Sequence, residues 1–147
     1  MKTYRILGIP FIDGLYNDII KLKHGRLMVV PSGPGLATIG KDLRYSEAVY
    51  NADFAIPDSG YMVLLLRLFK GIKINKFSGY DFLKHFFAEK FSKNDLFLID
   101  PNEKESKINN TYLNGIGIPI NNSFQYVAPI YGSNEILRFN KISSMYD

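Results

Sequence analysis

The chain has 147 residues, a net charge of +4 and no cysteine, so disulfides and thiolate metal sites are excluded. Its length and its hydrophobic content of 46% fit one domain with a buried core. The two histidines, His24 and His85, lie far apart in the sequence and do not form a metal-binding pair. The longest apolar run, Tyr61 to Leu66, is far shorter than the roughly 18 residues that span a bilayer. Without a hydrophobic signal region at the amino terminus, the chain is expected to be cytoplasmic.

Positive charges concentrate in the middle of the chain. Such a bias can favour phosphates, nucleic acid or an anionic membrane face, although a solvated surface is the commoner explanation. The aromatic residues are not interleaved with these cations as a base-stacking platform requires, so nucleic acid is not predicted as a partner. The cations are Arg67, Lys70, Lys73, Lys76, Lys84, Lys90 and Lys93.

The first elements predict an α/β alternation. Arg5 to Ile9 is a short strand candidate, and Asp13 is placed to cap a helix that ends near Gly25. Arg26 to Val30 is an unbroken apolar run, which is typical of a strand covered on both faces.

A tight loop, Pro31 to Gly35, follows that strand directly. Glycines in such a loop let the backbone approach a ligand closely. The loop has neither the glycine spacing of a dinucleotide site nor the Lys-Ser/Thr ending of a P-loop. One helix is predicted to start over 36–39, and a second helix is predicted over 45–51.

The most informative stretch runs from Ala52 to Leu66. Phe54 to Ile56 has the length of a buried strand, and Pro57 ends it because proline has no N–H to donate. Asp58 therefore stands between a strand and a helix that runs to Gly71, the position where open α/β sheets bind ligands. The alternative is that Asp58 or Ser59 only caps this helix.

The second half repeats the alternation. The pattern predicts an edge strand over 73–77, a capping turn at Ser78 to Asp81 and an aromatic core helix over 82–91. It then predicts a strand over 96–99, a polar helix over 103–114 and a final strand over 124–127. The predicted fold is a single α/β domain with a Rossmann-like parallel sheet flanked by helices.

Several segments together resemble the WecG/TagA/CpsF family of bacterial glycosyltransferases. They occur in the family's order over about residues 5 to 132, which we assign to one domain, with 133–147 as a divergent tail. The segments are Pro31 to Leu36, Lys41 to Tyr45, Asn51 to Gly60, Phe77 to Leu83 and Tyr126 to Tyr131.

This resemblance implies an enzyme that transfers a sugar from a nucleotide-diphosphate donor, taken as UDP-linked, to a lipid-diphosphate-linked acceptor. It implies inversion, no metal or other cofactor, and a position at the inner face of the cell membrane. Asp58 aligns with the family's proposed catalytic base. The implied substrate-binding residues are Ser32, Gly33, Gly35, Ser59, Gly60, Gly79 and Asp81.

Two departures from the family pattern qualify this expectation. Pro31 and Gly33 stand where the common pattern has Thr and Asn near the acceptor pocket. Residues 133–147 lack the family's nucleotide-holding and membrane-binding region, so truncation is one hypothesis. Weak sugar-nucleotide binding, little transfer by these residues alone and self-association through a free sheet edge are then expected. The rival hypothesis is a non-catalytic α/β binding or assembly module.

Overall fold

The computed structural model describes residues 1–22, 25–89, 96–118 and 120–128. The chain divides into two compact units, Met1–Glu89 and Lys90–Asp147. The predicted domain assignment stays a prediction, because its carboxyl-terminal part lies outside the described residues. That part comprises the boundary expected at residue 132, the tail over 133–147 and the end of the Tyr126 to Tyr131 segment.

A sheet with parallel strands forms the centre of the first unit. Within its described residues, four strands pair in the order β1-β2-β4-β3. The β1–β2 pair is antiparallel, whereas β4 pairs in parallel with both β2 and β3. The strands are β1 (Lys2–Ile6), β2 (Ile9–Asp13), β3 (Met28–Val29) and β4 (Phe54–Ala55).

The amino-terminal prediction was wrong in one respect. The expected strand over 5–9 is broken by a turn, because Leu7 and Gly8 both adopt positive φ, at 51° and 83°. Two such residues suit a tight hairpin connection. The chain therefore returns as β2, and Asp13 ends that strand instead of capping a helix.

The described residues of the first unit form five helices beside this sheet. Leu15, not Asp13, precedes the first helix, and its N–H donates to Asp18 Oδ2 at 3.2 Å. Part of the predicted loop at Pro31 to Gly35 is helical, and no strand forms over 73–77. The helices are α1 (Tyr16–Ile19, extended by a 3-10 turn over Ile20–Leu22), α2 (Gly33–Ala37), α3 (Leu43–Tyr50), α4 (Gly60–Lys70) and α5 (Gly79–Phe86). The predicted continuation of α5 to Phe91 falls partly outside the described residues.

Helices cover the sheet through two hydrophobic clusters. One cluster includes Phe11, Leu36 and Val49, and the other includes Ile19, Ile56 and Phe82. Phe82 of the predicted aromatic stripe is therefore a core residue. The predicted fold class, a mixed α/β structure with parallel strands flanked by helices, is confirmed.

The second unit contains a further parallel pair. Strand β5 (Leu98–Asp100) pairs with β6 (Gln125–Val127), and α6 (Glu103–Gly115) connects them. Each of these elements lies within one or two residues of its predicted position.

Polar side chains join α6 to the two strands. Asp100, only 3% exposed, accepts hydrogen bonds from Asn109 Nδ2 at 2.6 Å and from Gln125 Nε2 at 2.7 Å. The Gln125 amide also donates to Ser106 Oγ at 2.7 Å and accepts from Asn110 Nδ2 at 3.0 Å. A buried carboxylate is stable only with such partners, so this network fixes the helix on the strands.

We expect Phe11→Ala to lower the free energy of unfolding by about 3–5 kcal/mol, because it removes a fully buried ring from the central strand β2. Chemical denaturation measures the loss. Leu43→Ala is the control, since Leu43 is 76% exposed and should cost about 0.5 kcal/mol or less. Equal effects of the two substitutions would contradict this description of the core.

Gln125→Leu should lower the free energy of unfolding of the second unit by about 1.5–3 kcal/mol, because Asp100 loses a donor while staying buried. Urea titration followed by circular dichroism provides the measurement. Asn114→Leu, at an exposed position of α6, removes an amide without breaking the network. A Gln125 variant as stable as the Asn114 variant would show that the network contributes nothing.

Candidate functional site

Two loops lie side by side at the carboxyl end of the sheet. Because β3 and β4 are parallel neighbours, the residues that follow them leave the sheet at the same edge. A methyl group added to Gly33, after β3, would stand 3.2 Å from Ser59 Oγ, after β4. The structure thus brings together the loop at 32–35 and the Asp58 segment.

Of the two predicted capping residues of α4, Ser59 forms the cap and Asp58 does not. Ser59 is the cap, and its Oγ accepts a hydrogen bond from the Met62 N–H at 3.2 Å. The half-buried Asp58 instead accepts a hydrogen bond from the Gly79 N–H through Oδ1, at 3.0 Å. Among the described residues, Asp58 Oδ2 has no hydrogen-bond partner, which leaves one carboxylate oxygen able to accept a proton.

The segment 72–78 forms neither a helix nor a strand, and it contacts strands of the sheet and the residues after β4. The Tyr4 hydroxyl of β1 donates to the Lys73 carbonyl at 3.2 Å, and Asp13 Oδ1 at the end of β2 accepts from the Asn75 N–H at 3.2 Å and from its Nδ2 at 3.0 Å. The Phe77 N–H then donates to the Pro57 carbonyl after β4, at 3.1 Å. We call 72–78 the edge segment; its polar contacts follow the order of β1, β2 and β4 in the sheet.

The last contact of the edge segment is with the loop after β3. A methyl group on Gly79 would stand 2.9 Å from Val30 Cγ1, closer than real Cβ contacts. Glycine at position 79 therefore allows the close approach of Val30, and a larger residue would force one of the two to shift. This contact and the Asp58 bond fix the amino end of α5 against both loops.

Lys76 is a candidate site residue that the sequence motifs did not single out. It is exposed, and its Cδ lies 3.6 Å from the position that a Cβ of Gly60 would occupy. The Lys76 side chain therefore lies beside the amino end of α4, whose first residue, Gly60, is two positions after Asp58. Asp13 and Asn75 were also missed, because the sequence analysis assigned Asp13 to a helix cap and 73–77 to an edge strand.

Serine residues cap the helices that begin at this edge. Ser32 Oγ accepts from the Gly35 N–H at 3.2 Å, and Ser78 Oγ accepts from the Asp81 N–H at 3.0 Å, as Ser59 does for α4. The amino ends of α4 and α5 carry partial positive charge from their remaining N–H groups. The edge thus combines the Asp58 carboxylate with helix ends and a lysine that favour anions.

Two of the predicted site residues have local roles in this structure. Gly35 leaves room for the Tyr45 hydroxyl, which packs over its Cα. Asp81 forms a reciprocal cap of α5, since its Oδ2 accepts from the Ser78 hydroxyl at 3.0 Å. Neither residue contacts Asp58 in the part of the chain that the structure describes.

The described residues contain no group of three or more histidine, aspartate or glutamate side chains placed to hold a metal ion. None of their helices is long and apolar enough to cross a membrane.

Gly79→Ala should lower the free energy of unfolding by about 1–3 kcal/mol, because its methyl group would collide with Val30. Thermal or urea unfolding provides the measurement. Val30→Ala in the same chain should recover most of the loss by removing the colliding Cγ1. Gly115→Ala is the control, with open space around the new methyl group and an expected gain of about 0.4–1 kcal/mol. A Gly79 variant as stable as the parent would refute the close contact.

A comparison with protein-family models identifies the family of this chain. The model described as the glycosyl transferase WecG/TagA/CpsF family matches residues 5–108, which is more than half of the chain and includes Asp58 and the loops around it. No curated protein matches the chain. The family is one of glycosyltransferases in cell-surface polysaccharide synthesis, and its match agrees with the segments that resemble it in the sequence. This chain therefore belongs to the WecG/TagA/CpsF family of glycosyl transferases.

Proposed function

We propose that this protein transfers a sugar from a nucleotide-diphosphate donor, taken as UDP-linked, to a lipid-diphosphate-linked acceptor, with inversion at the anomeric carbon. The observation that carries the proposal is the position of Asp58 at the carboxyl end of β4, with one oxygen bound to Gly79 and the other without a partner in the described structure. Family membership supports the reaction class.

In this mechanism Asp58 acts as the general base. Its Oδ2 takes the proton of the acceptor hydroxyl while the hydroxyl oxygen attacks the anomeric carbon. The bond from that carbon to the nucleotide diphosphate breaks on the opposite face, and the diphosphate leaves with the electron pair. The Gly79 N–H holds the carboxylate in place, with Oδ2 turned to the acceptor in this proposal.

The departing diphosphate needs positive charge. Lys76, beside the amino end of α4, can supply a full charge, and the helix end at Gly60 can supply N–H donors. Glycine at position 60 lets phosphate oxygens approach the backbone, because no Cβ stands in the way.

The acceptor is proposed to bind beside Ser32 and Gly33. This loop contacts Ser59, so a sugar held there lies next to Asp58. The Ser32 and Ser59 oxygens accept backbone N–H groups, which leaves their hydroxyl protons free to be donated to a sugar oxygen. We propose that Gly35 and Asp81 act on binding indirectly, through the shape of α2 and α5.

Asp58→Asn should reduce kcat by about 10²–10⁴-fold, since it removes the base but keeps an oxygen that can accept the Gly79 N–H. The KM for the acceptor should change little. Transfer of labelled sugar from a panel of UDP-sugars to a lipid-diphosphate acceptor, by the full-length gene product that carries these residues, measures both constants.

Asp53→Asn is the matched control. Asp53 is exposed at the opposite end of β4, where its Oδ2 accepts the Leu27 N–H at 2.7 Å, so its loss should leave kcat unchanged. If both variants transfer sugar like the parent, Asp58 is not the base. If the parent transfers no sugar from any donor, the non-catalytic binding or assembly module is the better description.

A further inference from the structure

Asp13 makes a double contact with the edge segment, directly before Lys76. Its Oδ1 accepts hydrogen bonds from the backbone N–H of Asn75 at 3.2 Å and from the Asn75 side-chain Nδ2 at 3.0 Å. Asp13 is the last residue of β2, which pairs with β4 inside the sheet, so it is a fixed point of attachment. One carboxylate oxygen thus holds both the backbone and the side chain of Asn75.

The backbone of Lys76 is held on both of its sides. Asn75 precedes it and is bound to Asp13, and Phe77 follows it and donates its N–H to the Pro57 carbonyl at 3.1 Å. The Phe77 ring also packs against one of the two hydrophobic clusters. The Lys76 side chain therefore extends from a backbone that is fixed by hydrogen bonds to two different strands or their ends and by apolar packing.

A lysine side chain gains from a backbone held in this way. Its aliphatic stem is flexible, and ordering that stem on a ligand costs conformational entropy. The exposed Lys76 side chain passes beside Gly60, with its Cδ 3.6 Å from the position of an added Cβ. Because a fixed backbone limits the positions that the ammonium can reach, a larger part of its attraction for an anion remains as binding free energy.

We propose that Asp13 is a positioning residue that, by holding Asn75, directs the Lys76 ammonium to the diphosphate of the nucleotide donor. The choice of a diphosphate as ligand rests on the proposed function, whereas the hold of Asp13 on Asn75 is a contact of the structure. Asp13 does not touch the nucleotide in this proposal, since its carboxylate would repel a diphosphate.

The positioning role requires an oxygen that accepts two hydrogen bonds and does not require a negative charge. The side-chain carbonyl of an asparagine at position 13 can accept the same two bonds. Asp13→Asn should therefore preserve the effect, whereas Asp13→Ala removes it. The competing explanation is that Asp13 stabilises the edge segment as a whole, in which case its effect on binding would not depend on Lys76.

Calorimetric titration of UDP into the full-length gene product that carries these residues tests the proposal. Lys76→Ala should raise the Kd at least about tenfold, and Asp13→Ala about three- to tenfold, because a contact to a charged group is lost or weakened. Asp13→Asn should stay within about twofold of the parent. In a chain that already carries Lys76→Ala, adding Asp13→Ala should change the Kd by less than about twofold, because the residue through which Asp13 acts is gone.

Two variants serve as matched controls. Tyr4→Phe removes a different hydrogen bond of the same edge segment, from the Tyr4 hydroxyl to the Lys73 carbonyl. Lys73→Ala removes a neighbouring exposed cation. Both should bind UDP like the parent, and circular dichroism should show that all variants are folded. If Asp13→Ala does not fold, Asn75→Ala replaces it, since it removes only the side-chain bond to Asp13, and the same dependence on Lys76 is expected.

An equal effect of Asp13→Ala with and without Lys76 would overturn the proposal, because Asp13 would then act on the structure alone. A Tyr4→Phe variant that binds UDP as weakly as Asp13→Ala would also overturn it, as would a parent that binds no UDP. UDP binding that depends on Asp13 through Lys76, in a protein that transfers no sugar, would contradict only the proposed reaction. Sugar transfer that depends on Asp58 without this coupling would contradict only the positioning role.

Discussion

The hydrogen bond between the Asp58 carboxylate and the Gly79 N–H connects the parts of the molecule on which the candidate site depends. It joins the end of β4 to the start of α5 across 21 positions of sequence, at 3.0 Å. The edge segment over 72–78 lies between these two points and makes polar contacts with the ends of the strands. If this bond were absent, Gly79 would have no polar contact holding it against Val30 and Asp58.

The site is formed by loops that follow two short parallel strands, β3 and β4. β3 and β4 each contain two residues, so their following loops begin almost at the middle of the sheet. Ser32, Ser59 and Ser78 then start helices at once by satisfying free N–H groups. The caps leave Asp58 outside the helices, where its second oxygen faces no described partner and can serve as a base.

Helix α4 connects the candidate chemistry to the surface of the molecule. Its inner face is anchored in the core by Met62, Val63 and Leu66, and its amino end carries Ser59 and Gly60 beside Asp58. The same helix of 11 residues therefore starts at the site and exposes apolar side chains such as Leu64 and Leu68 at the surface.

Local patterns in the sequence determined much of this architecture. Apolar runs ended by proline and glycine predicted β4, α4 and the carboxyl-end position of Asp58, and the order of the motifs predicted the family. These features depend on neighbours in the chain, which is why they could be found from the sequence. Only the tertiary structure decided that Ser59 caps α4 while Asp58 binds Gly79, because either side chain could satisfy the same helix. It also decided that Asp13 binds Asn75 and that Lys76 lies at Gly60, since these contacts join segments whose relative position is fixed by packing of the whole sheet and not by any nearby residue.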